Sequence, residues 1–244
     1  QVEESERWIR YGPEDGLMDR PATVIATKAG GLGAAGKHGA LPASAWFDGA
    51  LWHMTVHPEL GETADAAADP GAFLGATDGS IWFGAGGYAG SGRGRGGVLQ
   101  LRLGSGQAGR HLDWEHHRPP VVPRKSISGI VETGSGEIWV VARRNVSRYD
   151  GQAWLAIAAP EELLWSFITS AHATPTGSVW IGTRMAGLYH HRDGAWFRYG
   201  AKDGLADDHI TSIVDADGGG IFAGTPRGIS RFDGQAWLKH AIPS

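Results

Sequence analysis

Apolar residues in this chain come in short runs separated by polar, glycine-bearing turns. Ile127–Val131 and Ile210–Val214 are followed by Gly134-Ser135-Gly136 and Asp217-Gly218-Gly219. An aromatic-bearing run comes next (Ile138–Val141, Val179–Gly182, Ile221–Gly224), then a third (Val146–Tyr149, Ile229–Phe232). Asp-Gly at 150–151, 193–194 and 233–234 leads into a fourth run holding a Trp. Asp-Gly between apolar runs predicts a β-hairpin, because both residues tolerate positive φ. No stretch keeps the period of about 3.6 that an amphipathic helix needs. The best helical candidate, Pro160–Trp165, is short.

The unit repeats. Ile210–Trp237 aligns with Ile127–Trp154 without a gap over 28 positions, and Phe167–Trp196 joins them with two extra residues. Two looser copies, Ala22–Trp52 and Phe73–Trp114, lie upstream. Trp114, Trp154, Trp196 and Trp237 are spaced by 40, 42 and 41 residues, whereas Trp52 to Trp114 is 62, so the second copy carries an insertion. Four short strands per roughly 40 residues is the signature of a propeller blade. The expected fold is all-β, a single β-propeller domain of five four-stranded blades plus an N-terminal outer strand. The repeats fall at 21–56, 72–117, 126–157, 165–199 and 209–240, with the outer strand in 6–20. That spare strand, centred on Trp8, parallels Ala195–Leu205; it either packs on the last blade or marks a chain cut from something longer. The repeat-position Trp residues are expected to fill the wedges between blades.

Ser178-Val179-Trp180-Ile181-Gly182-Thr183, Gly228-Ile229-Ser230-Arg231-Phe232-Asp233-Gly234 and the Tyr199–Asp208 linker YGAKDGLADD resemble the two-component regulator propeller repeat. Arg10–Asp19, RYGPEDGLMD, echoes the linker. The resemblance implies an extracytoplasmic ligand-sensing propeller, of the kind carried by hybrid histidine kinases that respond to carbohydrates. The expected compartment is therefore periplasmic or extracellular.

Composition narrows the chemistry. Of 244 residues 39 are Gly and 11 are Trp, so the many turns surround a real core. The net charge of −4 gives no signal for nucleic acid. No apolar run approaches the ~18 residues of a membrane span. The absence of Cys excludes disulfides and thiolate chemistry. Neither His116-His117 nor His190-His191 is bidentate within a strand, so no metal and no cofactor are expected. Asp215-x-Asp217-Gly218 lacks the closing Glu of a calcium loop. Gly92-x-Gly94-x-x-Gly97 has no βαβ context and reads as a loop.

The candidate site lies where the second-to-third-strand turns and inter-blade connections share one end. That end carries Lys37, Arg93, Arg95, Arg143, Arg144, Arg184 and Arg227, together with Tyr88 in an inserted loop. Guanidinium groups on such turns suit carboxylates or phosphates. The plainer reading is that polar turns accept Arg and that Asp15, Asp19, Asp203, Asp207 and Asp208 neutralise it. Gly129, Ser212, Ala72 and Ser170 are expected to line the channel, with no carboxylate pair or carboxylate–His pair for hydrolysis. The leading expectation is a sensor that binds an anionic carbohydrate or another small acidic ligand and is not an enzyme. The alternatives are a protein-interaction or self-assembling scaffold and, third, a glycan-active enzyme.

Overall fold

The computed structural model describes residues 8–26, 31–58, 72–84, 97–104, 111–118, 127–217 and 219–240. Five antiparallel four-stranded sheets follow one another along the chain. Blade one is β1 (Arg20–Ala26), β2 (Leu32–His38), β3 (Leu41–Phe47) and β4 (Trp52–Val56). Blade two is β5 (Phe73–Gly75), β6 (Ile81–Gly84), β7 (Val98–Gly104) and β8 (His111–His117). Blade three is β9 (Ile127–Glu132), β10 (Ile138–Ala142), β11 (Asn145–Tyr149) and β12 (Trp154–Ala156). Blade four is β13 (Ile168–Ala173), β14 (Val179–Thr183), β15 (Leu188–Arg192) and β16 (Ala195–Tyr199). Blade five is β17 (Ser212–Ala216), β18 (Gly220–Thr225), β19 (Gly228–Phe232) and β20 (Trp237–His240). The helix α1 (Glu161–Trp165) stands between blades three and four. Each first strand packs against the first strands of its neighbours, from β1 through β5, β9 and β13 to β17. The architecture is a five-bladed β-propeller.

Each blade has a forward face toward the next blade and a rear face toward the previous one. The second-strand ring supplies the forward wedge. Trp82 packs into Ile130, Ile138 and Tyr149 of blade three. Trp139 packs into Val179, Ile181 and Tyr189 of blade four, and Trp180 into Ile213, Ile221 and Phe232 of blade five. An aromatic side chain removes roughly 150–250 Å² from water. At about 25 cal/mol per Å² that is about 4–6 kcal/mol per ring, an upper bound because unfolded chains already bury some of it. Polar links cross the same seams: Thr77 donates to Glu132 at 2.6 Å, and the Trp154 indole donates to His117 Nδ1 at 3.1 Å.

The packing corrects three expectations. Gly129 and Ala72 do not line a channel; both are buried. Both faces of β5 and of β9 meet a blade, so alternation there sorts residues between two neighbours rather than between core and channel. A Cβ on Gly129 would stand 2.6 Å from the Ala171 Cβ of blade four, which is why no side chain fits there. A carboxylate–His pair is also present: His172 Nε2 lies 3.0 Å from Asp215 Oδ1, between the first strands of blades four and five. Finally, Trp8–Tyr11 forms no strand among the described residues, and β20 pairs with β19 alone. Tyr11 instead packs on Phe47 and Trp52 of blade one, with ring centroids 5.1 and 6.5 Å away. Among the described residues no helix is long and apolar enough to cross a membrane.

Candidate functional site

The Arg-bearing turns of three blades lie at one end of the molecule. Arg143 and Arg144 form the β10–β11 turn, Arg184 opens the β14–β15 turn, and Arg227 lies between β18 and β19. Lys37 sits near the end of β2, beside the equivalent hairpin of blade one. Tyr88, Arg93 and Arg95 lie outside the described residues.

The connection from blade three to blade four ties two of these turns together. The Arg144 N–H donates to the Leu164 carbonyl at 2.9 Å, and the Arg184 N–H donates to the Phe167 carbonyl at 2.9 Å. Leu163 is fully buried among Trp139, Val179 and Tyr189, which pins α1 to the core. With Leu163 turned inward, Trp165 and Phe167 are turned out, at 52% and 55% exposure. The Arg144 guanidinium lies 4.0 Å over the Trp165 ring, and that of Arg143 lies 4.8 Å over Phe167. Met185, beside Arg184, is 81% exposed. Arg144 adopts φ 70°, a left-handed conformation that a non-glycine residue takes at a cost. Its bond to Leu164 holds it there.

The acids around this platform are already engaged. Arg198 Nη1 lies 3.4 Å from Glu162 Oε2, and the Arg198 Nε–H donates to the Ala186 carbonyl at 2.8 Å. Burial, with Glu162 beside it, pushes the Tyr189 hydroxyl up to about 12, so it keeps its proton. Asp15 and Asp203 accept from the Gly12 and Gly200 N–H groups and cap short 3-10 turns, while Asp208 accepts from Ala201 N–H. Asp19 accepts from Gly39 N–H and lies 3.8 Å from Arg20. Asp207 pairs with one of the candidate cations, Arg227, at 3.0 Å. The plainer reading therefore fits Arg227, and the turns of blades three and four are where charge faces outward beside aromatic rings. Thr169 and Thr211, both exposed, add hydroxyls near the same end of the first strands. Arg198 also lines a cavity of about 450 Å³ with Lys202, Asp203 and Asp208.

No protein-family model matches the chain, and no curated protein matches it by sequence. Solved structures do. The extracellular domain of a hybrid two-component system protein from B. thetaiotaomicron superposes with a TM-score of 0.65 at 16% identity, over 92% of this chain and 29% of that one. PorZ, a surface component of the type-IX secretion system of Porphyromonas gingivalis, gives 0.60 at 16% identity over 87% and 32%. A candidate gluconolactonase gives 0.51 at 16% identity over 90% and 76%. The shared feature is the propeller fold. The chain spans about a third of the length of the first two proteins. An extracellular domain of a two-component system and a surface component of a secretion system thus share this scaffold, so its loops and turns, not the fold, must carry the function.

Sequence reasoning had found the Arg turns but not the rings. Trp165 and Phe167 open the fourth repeat, in the connection ahead of β13, where the other copies supply no matching aromatic pair. The available signal was an aromatic pair in a connection, out of register with the closing Trp residues. Among the described residues no group of three or more His, Cys, Asp or Glu could hold a metal ion.

Proposed function

We propose that this propeller is an extracytoplasmic ligand-binding domain that holds an anionic carbohydrate at the turn end of blades three and four. The observation that carries the reading is the platform itself: two half-exposed rings, Trp165 and Phe167, each under an arginine, on one strap anchored by Leu163. An indole face accepts the apolar C–H face of a pyranose, while a planar guanidinium receives a carboxylate through paired N–H donors. Arg184 extends the cationic edge into the next blade. The repeat's resemblance to ligand-sensing propellers and the likeness to an extracellular domain support the compartment.

The test is a thermal-shift panel of uronic-acid oligosaccharides against neutral oligosaccharides of the same length. At a ligand concentration of about 100 Kd, mass action stabilises the folded state by about 2.7 kcal/mol. For a chain of this size that raises Tm by roughly 5–10 °C. Trp165→Ala should abolish the shift. A panel in which no acidic sugar moves Tm more than its neutral counterpart overturns the reading.

A further inference from the structure

The sequence pairs Asp with Gly eight times, at 15–16, 48–49, 78–79, 150–151, 193–194, 203–204, 217–218 and 233–234. This pair has a chemistry of its own. Glycine puts no side chain beside its backbone N, so that N can reach the carboxyl of the preceding Asp and close a five-membered ring. The fold treats the carboxylates differently. Six accept from backbone N–H groups: Asp15 from Gly12, Asp48 from Ala50 and Leu51, Asp78 from Ser80, Asp150 from Gln152 and Ala153, Asp203 from Gly200, and Asp233 from Gln235 and Ala236. Gly218 lies outside the described residues, which leaves Asp193.

Asp193 stands in a different turn. In blades three and five the Asp150 and Asp233 N–H groups donate to the Ala153 and Ala236 carbonyls, so the Asp opens a wider loop and its carboxylate turns back onto it. In blade four Arg192 pairs directly with Ala195, which makes Asp193-Gly194 a two-residue turn. Both residues take positive φ, 52° and 77°, as a type I′ turn requires. The Asp193 side chain is 89% exposed and lies 3.4 Å from Nε of Arg192, itself exposed. A backbone clasp opposes ring closure in two ways. It holds the carboxyl toward N–H groups further along the loop, and it favours the charged form, whereas the ring closes from the neutral one. The N–H groups of Ala153, Ala236 and Leu51 hold Asp150, Asp233 and Asp48 below the usual carboxylate range. A carboxyl held one pH unit lower is neutral about ten times less often.

We propose that Asp193-Gly194 is the site at which the folded chain converts an aspartate to isoaspartate. The Gly194 N attacks Cγ of Asp193. The carboxyl OH and the amide proton leave together as water, and a succinimide remains. Water then adds to one of the two ring carbonyls and breaks its bond to N. Opening at Cγ restores aspartate. Opening at the main-chain carbonyl leaves the chain running through Cβ and Cγ beside a new α-carboxylate. One water leaves and one returns, so the mass is unchanged and no oxidant or further reactant is needed. The change lies at the Asp-Gly end of blade four and is independent of the ligand site on the Arg-bearing turns.

The test incubates the purified chain at mildly acidic pH, folded in buffer and unfolded in guanidinium chloride. Isoaspartate at each Asp-Gly is followed by peptide mapping with electron-transfer mass spectrometry, and by enzymatic methylation of the isoaspartyl carboxylate. In buffer, Asp193 should convert at least about tenfold faster than Asp150 or Asp233. In denaturant the three rates should converge, because the clasps are gone and the local chemistry is the same. Asp193→Ser should abolish the fast product and leave the slow sites as they were. Asp193→Asn, which closes the same ring by losing ammonia, should reach isoaspartate at 193 sooner than the wild type. Equal rates at 193, 150 and 233 in the folded chain overturn the proposal. So does the absence of product at 193 in buffer by the time the denatured chain has largely converted there.

Discussion

The two ends of the propeller use their turns in opposite ways. At the end holding the first-to-second and third-to-fourth strand hairpins, acidic side chains serve the backbone. Asp150 accepts from the Gln152 and Ala153 N–H groups, Asp233 from Gln235 and Ala236, and Asp48 from Ala50 and Leu51. At the other end, Arg144 and Arg184 bond through their backbone N–H groups to the blade connection, and the Arg144 and Arg143 guanidinium groups lie over Trp165 and Phe167. A turn whose side chain closes on itself stabilises; a turn whose side chain reaches outward is available to bind. That contrast supports the proposed site beyond what charge alone does.

The largest effect expected from it is on binding. Trp165→Ala combined with Arg144→Ala should weaken an acidic oligosaccharide about a hundredfold, ~2.7 kcal/mol, while moving the unliganded Tm by no more than a few degrees. Isothermal titration and a melting curve on the same sample check both halves.

Acid should then separate the core from the Asp-Gly end. Burial pushes His190, stacked 3.7 Å from Trp180, down to about 4. The unfolded chain takes up this proton near pH 6.5 and the folded chain only near 4. Stability therefore falls as pH drops through that window, by roughly 3 kcal/mol, and this loss ends below it. The backbone N–H of Ala153 holds Asp150 below the usual carboxylate range, and that of Ala236 does the same for Asp233. Their contribution is complete above the ordinary Asp value and is lost only as pH falls through their lowered ones. Urea titrations at several pH values should show two separate losses, and His190→Gln should reduce the one at higher pH, to which burial of His117 and His191 also contributes.

Asp150→Ala should lower Tm by a few degrees and leave ligand affinity unchanged. The same experiment on Arg144 should run the other way. Arg144→Gly relieves the left-handed strain, raising stability by about 1 kcal/mol, yet weakens binding. A variant that gained on both counts would erase the distinction between the two ends.

The blades were legible because strand period, Asp-Gly turns and the spaced Trp residues all point the same way. The turn cations of blades three, four and five were legible because those repeats place them in the same hairpin, whereas Lys37 falls within β2 and Arg93 and Arg95 lie outside the described residues. The platform was not, because Trp165 and Phe167 stand at the edge of the fourth repeat, where the other copies have no aromatic pair to mark a shared role. The channel wall was misread for a different reason. Gly129 looks like a small wall residue in sequence, but the closeness of Ala171 demands a glycine there. Ser212, at the same position in blade five, is exposed and meets no such crowding among the described residues.

The most direct test of the binding site is a calorimetric comparison of one uronic-acid oligosaccharide with its carboxyl-reduced, neutral form, on wild type and Trp165→Ala. Saturable heat with the acidic sugar and wild type alone is the predicted result. Equal binding of both sugars, or undiminished binding by Trp165→Ala, contradicts the account.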